Sequence, residues 1–280
     1  MTVPSRPTFL RRKLGAKLRR MREQAGLSLD EAASRLDKTR SALHRVETGE
    51  TRVDVHLARS IMDVYDIFDT TLLDEVRQAF KPPWHWAYGI KRRGYVDAET
   101  EAARVHEYVV LDMPGLLQTK AYMRALFAGG IPRSEQVIDR DITVRTIRQY
   151  RLTDPDRPLE LVVVVHEAAL HRELGGREVM RAQLWHLIEM SQLTTVTLQV
   201  LPLSQGAHLV PNAPFFVLSF ADEEDPELLH VEHPGGSIQT EEPAEVQAAK
   251  LAFEQAQSVA LSPADSIALL ERLAVELYGL

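Results

Sequence analysis

Apolar residues recur at helical spacing through the first 80 positions, and strand-like runs take over in the second half of the chain. Between residues 11 and 25, Leu14, Leu18, Met21 and Ala25 form one stripe, which Gly26 ends. Ser28-Leu29-Asp30-Glu31 has the form of a capping box, in which the Ser hydroxyl accepts from the third backbone N–H while the Glu reaches back. It predicts a second, short helix over 29–36 that buries Ala32, Ala33 and Leu36. Only Asp37 and Lys38 separate that helix from Thr39, a good N-cap residue, and Leu43 and Val46 then supply the buried face of a third helix closed by Thr48-Gly49. Leu57, Ala58, Ile61, Met62 and Tyr65 predict a fourth helix, and Leu72, Leu73 and Val76 a fifth.

The periodicity breaks at Lys81-Pro82-Pro83, which predicts an all-α domain over 1–80, a linker over 81–94 and a second domain over 95–280. Trp84 and Trp86 read as an apolar plug or a docking surface, and Lys91-Arg92-Arg93 as a solvated turn. Helices are expected over 95–106, 114–127 and 134–151, with 108–111 extended. Four strand-like runs follow, at 159–165, 196–201, 215–220 and 228–231. Helices over 167–174 and 177–191 lie between the first two, an order that favours a parallel pair. The last two runs form a hairpin across the acidic segment 221–226, and two helices, over 244–259 and from Ser262-Pro263 to 277, close a mixed α/β domain.

Composition sets the class. The 280 residues are 45% hydrophobic and 26% charged with no cysteine, which fits a globular chain and excludes disulfide scaffolds and thiolate metal sites. No run approaches the roughly 18 apolar residues of a membrane helix, so a cytoplasmic protein without membrane association is expected. The net charge of −7 taken alone argues against nucleic acid. Its distribution argues the other way: residues 1–53 hold 13 Lys+Arg and 6 Asp+Glu, a net of +7, and the remainder holds 20 against 34, a net of −14. The chain is a basic head on an acidic body, a hint of a nucleic-acid module joined to another domain.

Two short helices joined by a tight turn, with Ala32 and Ala33 permitting close approach, have the geometry of a helix-turn-helix, whose second helix lies in the major groove. Its early exposed positions, Arg40 and Ser41 and then His44 and Arg45, are the candidates for reading base edges, since Arg can donate two hydrogen bonds to guanine. Lys38, Arg52 and the basic residues of the first helix suit phosphates. Ser28 and Thr39, at the starts of the two helices, complete the candidate DNA-binding set. One recognition helix touches few bases, so a homodimer on palindromic double-stranded DNA is expected.

These residues carry a resemblance. Arg22, Gly26-Leu27-Ser28, Glu31-Ala32-Ala33, Leu36, Thr39-Arg40-Ser41 and Val46-Glu47-Thr48-Gly49 resemble the Cro/repressor-type (xenobiotic-response-element) helix-turn-helix domain. The resemblance implies a buried ion pair between the first helix and the end of the recognition helix, at Arg22 and Glu47. Leu29 departs from the pattern, where the family has a Gln, and Asp37-Lys38 replaces the family's Gly and small aliphatic residue in the turn.

A second resemblance covers about 95–276. Met113-Pro114-Gly115-Leu116-Leu117-Gln118-Thr119, Val144-Arg145, Arg148-Gln149, His166-Glu167-Ala168-Ala169-Leu170, Gly206-Ala207-His208 and Val231-Glu232 are similar to the domain of unknown function that follows the helix-turn-helix in WhiJ-like regulators of actinobacteria. It implies a transcriptional regulator, antitoxin-like, with a small partner protein encoded nearby. Gln118, Arg145, Arg148, Glu167 and His208 are the polar residues of these blocks, open to two readings: lining a partner or ligand pocket, or bridging helices.

Enzymatic readings find little support. In His166-Glu167-Ala168-Ala169-Leu170-His171 the histidines stand five apart, about 500° around a helix rather than the 400° that a shared zinc ion requires. Phosphate-binding, dinucleotide-binding and hydrolase-elbow motifs are absent from the sequence. The expectation is a non-enzymatic regulator with no cofactor and no metal. A small-molecule sensor with the same head, and an enzyme fused to a helix-turn-helix, are the alternatives.

Overall fold

The computed structural model describes residues 7–90, 94–130, 132–206, 213–233 and 235–279. The chain divides into two compact units, Met1–Ala98 and Glu99–Leu280.

The first unit holds α1 (Phe9–Gln24), α2 (Leu29–Arg35), α3 (Arg40–Glu47), α4 (Val55–Tyr65) and α5 (Leu72–Ala79), followed by a 3-10 turn at Trp84–Tyr88. The predicted stripes close into one core: Leu14, Leu18 and Met21 of α1, Ala32 and Ala33 of α2, Leu43 and Val46 of α3, and Ala58, Ile61, Met62 and Tyr65 of α4 are all buried in it. Lys17 of α1 pairs with Asp69 at 2.6 Å and with Glu75 of α5 at 2.8 Å. Burial alone would raise the Asp69 carboxyl, but hydrogen bonds from Lys17 and Thr71 hold it down at about 2. Lys17 is therefore engaged as a strut between α1 and α5.

The second unit is a mixed α/β domain. After α6 (Gly94–Glu101), on which the division between the units falls, come β1 (Arg104–Val109), α7 (Lys120–Ala128), α8 (Glu135–Gln149), β2 (Glu160–His166), α9 (Ala168–His171), α10 (Arg177–Met190) and β3 (Val196–Leu201). Then β4 (Phe215–Ser219), β5 (Leu228–His233) and β6 (Gly236–Thr240) lead into α11 (Pro243–Val259) and α12 (Pro263–Glu276). The strands form one sheet in the order β3-β2-β1-β4-β5-β6. β1, β2 and β3 run parallel, and β4, β5 and β6 continue from β1 in antiparallel steps.

The expected parallel pair is β2 with β3, and the expected hairpin is β4 with β5. The extended run expected over 108–111 begins earlier, at Arg104, and one strand was not anticipated. The helix over 95–106 stops at Glu101, and Arg104–Val109 is extended, because Val105, Glu107 and Val109 face one side of the sheet while His106 and Tyr108 face the other. Of the Gly235-Gly236 pair, read as a turn, Gly235 does lie in a turn, and Gly236 opens a sixth strand. The helix over 114–127 splits into a 3-10 turn at Gly115–Leu117 and α7, whose N-cap Thr119 accepts from Tyr122 N. On one face of the sheet, Tyr108, Val162, Val164, Leu201, Phe215 and Val217 pack under Val246, Phe253 and Ala256 of α11.

Candidate nucleic-acid interface

The geometry of α2 and α3 starts from their caps. Ser28 Oγ accepts from Glu31 N at 3.3 Å, and Ser28 N and Oγ both donate to the Glu31 carboxylate, at 2.9 and 2.7 Å. This is the full capping box, and it commits the Ser28 hydroxyl within the protein. In the turn, Asp37 takes a left-handed conformation with φ of 53°, which Asp adopts more readily than most residues, and Lys38 N donates to Ala33 O at 2.8 Å. The departure at Asp37-Lys38 thus preserves the turn. Thr39 then caps α3, its hydroxyl accepting from Ala42 N at 3.2 Å.

α3 turns Leu43 and Val46 into the core and leaves Arg40, Ser41, His44 and Arg45 exposed on the remaining arc. These four predicted base-reading residues share one surface. Arg40 stands 3.4 Å from Asp30 of α2 and Arg45 3.5 Å from Glu50, but the side chains are more than half exposed, and ion pairs of that kind contribute only about 0–1 kcal/mol. DNA can displace them at small cost. Lys38 is half-buried beside this surface, and the Arg52 guanidinium lies 5.5 Å over the Phe80 ring.

The orientation of α3 is set from behind. Arg22 Nε and Nη2 donate to the Glu47 carboxylate at 2.7 and 3.0 Å, and Arg22 Nη1 donates to Leu27 O at 2.9 Å. Both partners are under 10% exposed. The hydrogen bonds to Glu47 raise the Arg22 guanidinium, against the effect of burial, and burial together with the Glu47 charge pushes the Tyr65 phenol up to about 12. Next to this pair the backbones of α1 and α3 touch. A Cβ on Gly15 would lie 2.5 Å from Glu47 O, and one on Gly49, whose φ is +75°, would lie 2.6 Å from Arg11 O.

Of the polar residues singled out in the second unit, Gln118, Arg145 and Arg148 neighbour one another around Glu107, while Glu167 has other partners. Arg145 donates to Gln118, whose amide donates to Met113 O at 2.7 Å. Arg148 forms a buried bidentate pair with Glu99 at 2.6 and 2.7 Å. Glu167 accepts from Leu203 N at 2.7 Å and lies 3.2 Å from His171 Nε2, a different set of partners. His208 lies outside the described residues. α9 has only four residues, with His166 on the strand before it, so the two histidines do not occupy successive turns of one helix.

Sequence reasoning missed Glu107 and Gln183. Glu107 is buried at the middle of β1, accepts from Gly115 N at 3.2 Å, and is pushed up to about 7 by burial, with Glu99 adding to the push while Arg148 and Arg145 oppose it. The strand alternation around it was the available signal. Gln183 accepts from Thr119 N and donates to Leu117 O, both at 2.7 Å, tying α10 to the start of α7.

A family model described as a helix-turn-helix domain matches residues 13–76, and one described as a domain of unknown function, DUF5753, matches residues 92–272. No helix among the described residues is long and apolar enough to cross a membrane. No curated protein and no solved structure matches the chain. With most of its length in the second match and the exposed α3 surface inside the first, the chain belongs to the DUF5753 family and carries a helix-turn-helix domain at its basic end.

Proposed function

We propose that the chain is a sequence-specific, DNA-binding transcriptional regulator that works in the cytoplasm as a homodimer on a palindromic operator. The observation that carries the reading is the exposed row Arg40, Ser41, His44 and Arg45 on a helix held from behind by Arg22 and Glu47, within the segment whose net charge is +7. An Arg in that row can take both acceptors of a guanine, and the surrounding Lys and Arg supply the sequence-independent attraction to phosphate. Two heads on half-sites about 34 Å apart multiply the few base contacts of one helix. The acidic body is repelled by phosphates and so favours docking through the head. On this reading the chain has no catalytic activity, and its second unit receives the signal of a small partner protein, as the likeness to WhiJ-like, antitoxin-like regulators suggests.

Selection of bound sites from random duplex DNA tests the proposal. Enrichment of an inverted repeat is expected, and recovery of sequences no different from the starting pool overturns it. The buried Glu107, with Gln118 and Arg145 close by, favours one second reading, a small-molecule signal in place of a protein one. Addition of the neighbouring gene's product to the selection separates the two, since only a protein signal changes site or affinity there.

A further inference from the structure

The chain treats the two edges of its sheet differently. Along β3, Leu261 N donates to Val200 O, Val200 N donates to Ser266 Oγ, and Gln199 Nε2 donates to Leu261 O, each at 2.9 Å. That edge is sealed by the segment entering α12. At the other edge of the sheet formed by the described residues, Gly236, Ser237 and Ile238 of β6 are exposed, Ile238 to 58%. The strand carries neither the Lys nor the Pro with which natural sheets blunt an open edge.

We propose that β6 is the surface through which two copies of this chain join, antiparallel about a two-fold axis at Ile238, so that the sheet runs on from one copy into the other. The inference rests on the homodimer reading above and gives it a surface. A two-fold axis makes two copies of an edge strand antiparallel and sets residue 238+n against 238−n. Ile238 then faces Ile238, Ser237 faces Gln239 and Gly236 faces Thr240, all uncharged. The first carboxylate beyond the strand, Glu241, falls opposite Gly235 of the second copy and not opposite its own counterpart. Residues 54–280 carry 34 acidic against 20 basic residues, so self-contact across most of the body sets like charges together, and β6 avoids this.

The apolar layer fits the same arrangement. Tyr108, Phe215, Val231 and Ile238 are successive cross-strand partners from β1 to β6, one row on the face covered by α11. The first three are buried or half-buried, and the row ends at an exposed Ile238. Pairing about Ile238 continues the row into the second copy and covers it.

The absence of cysteine makes the test direct. Facing residues of an antiparallel pair have Cα atoms about 4.5–5.5 Å apart, within the roughly 4.4–6.8 Å that a disulfide spans. Full-length chain bearing Ile238→Cys is expected to form a covalent dimer under mild oxidation. Ser237→Cys alone should form none, and a mixture of Ser237→Cys with Gln239→Cys should cross-link. Ile238→Lys, which sets two ammonium groups on the axis, is expected to sediment as a monomer at micromolar concentration where the unaltered chain is a dimer. If the unaltered chain is a dimer but Ile238→Cys stays uncross-linked and Ile238→Lys stays dimeric, the edge assignment is wrong and the homodimer reading stands. A monomer both alone and on DNA, which includes an edge reserved for another protein's strand, overturns both. Equal cross-linking through Ser237→Cys alone also overturns the register.

Discussion

Arg22 and Glu47, 25 residues apart, meet through two buried hydrogen bonds that tie the end of the first helix to the end of the recognition helix. Removing Glu47 leaves the buried Arg22 with only Leu27 O and the half-exposed Glu23 carboxylate at 3.5 Å, and breaking a buried pair in this way costs about 3–5 kcal/mol. Glu47→Ala should therefore shift urea unfolding of the first unit by that order, whereas the paired change Arg22→Met with Glu47→Leu should lose far less. Chemical denaturation followed by circular dichroism reads both. A Glu47→Ala variant as stable as the unaltered chain would show that α3 is held by its apolar contacts alone.

Gly15 gives a second handle on the same helix. Its missing Cβ leaves room for Glu47 O, and a methyl group at 2.5 Å from a backbone oxygen forces α1 and α3 apart. Overpacking of this kind costs about 1–3 kcal/mol. Gly15→Ala is expected to lower stability by that amount and also to weaken DNA binding at temperatures where the chain remains folded, because α3 is displaced from its seat. Gly26→Ala is the contrast: that site has a positive φ but nothing within 4 Å of its Cβ, so its strain is local and DNA affinity should hold. Titration of labelled duplex with each variant distinguishes the two.

The helical head was legible in the sequence because its signals are local. Ser28 with Glu31, Thr39, and the Leu43 and Val46 stripe each act within one turn, and the structure places them as caps and core. The second unit was legible where hydrophobicity was continuous, as in β2, which is buried along nearly its whole length. It was obscured where long-range pairing decides the conformation. Arg104–Val109 has residues that suit a helix face, and only its place between β2 and β4 makes it a strand. The partners of Arg148 and Gln183 lie 49 and more than 60 residues away, beyond any periodicity.

Arg40 and Lys38 should separate base reading from phosphate contact. Arg40 is exposed and only loosely paired with Asp30, so Arg40→Ala should leave folding within about 0.5 kcal/mol of the unaltered chain. On a selected operator it should cost about 1–3 kcal/mol and relax the preference at one base position. Lys38→Ala should weaken binding to selected and random duplexes alike and reduce the salt slope by about one. Fluorescence anisotropy over a series of salt concentrations measures both quantities. Equal losses from the two variants on both duplexes would remove Arg40 from the base-reading set.

Glu107 predicts how the second unit responds to pH. Its carboxyl titrates near 7 in the folded chain against 4.5 in the ordinary case, so the folded state holds its proton more tightly than the unfolded state. A raised folded value adds stability that is fully present below about 4.5 and is lost as pH rises through 7. The second unit should thus lose on the order of 3 kcal/mol from this group between those limits. Glu107→Gln keeps the shape and an acceptor for Gly115 N, and it should remove that part of the slope while leaving the neutral-pH stability equal or higher. The Glu99 and Arg148 pair, which remains in the variant, serves as the internal reference. Thermal unfolding from pH 4.5 to 8 reads the difference, and parallel curves for the two proteins would mean that Glu107 stays ionised at neutral pH, held by Arg145 and Arg148 more strongly than its burial opposes.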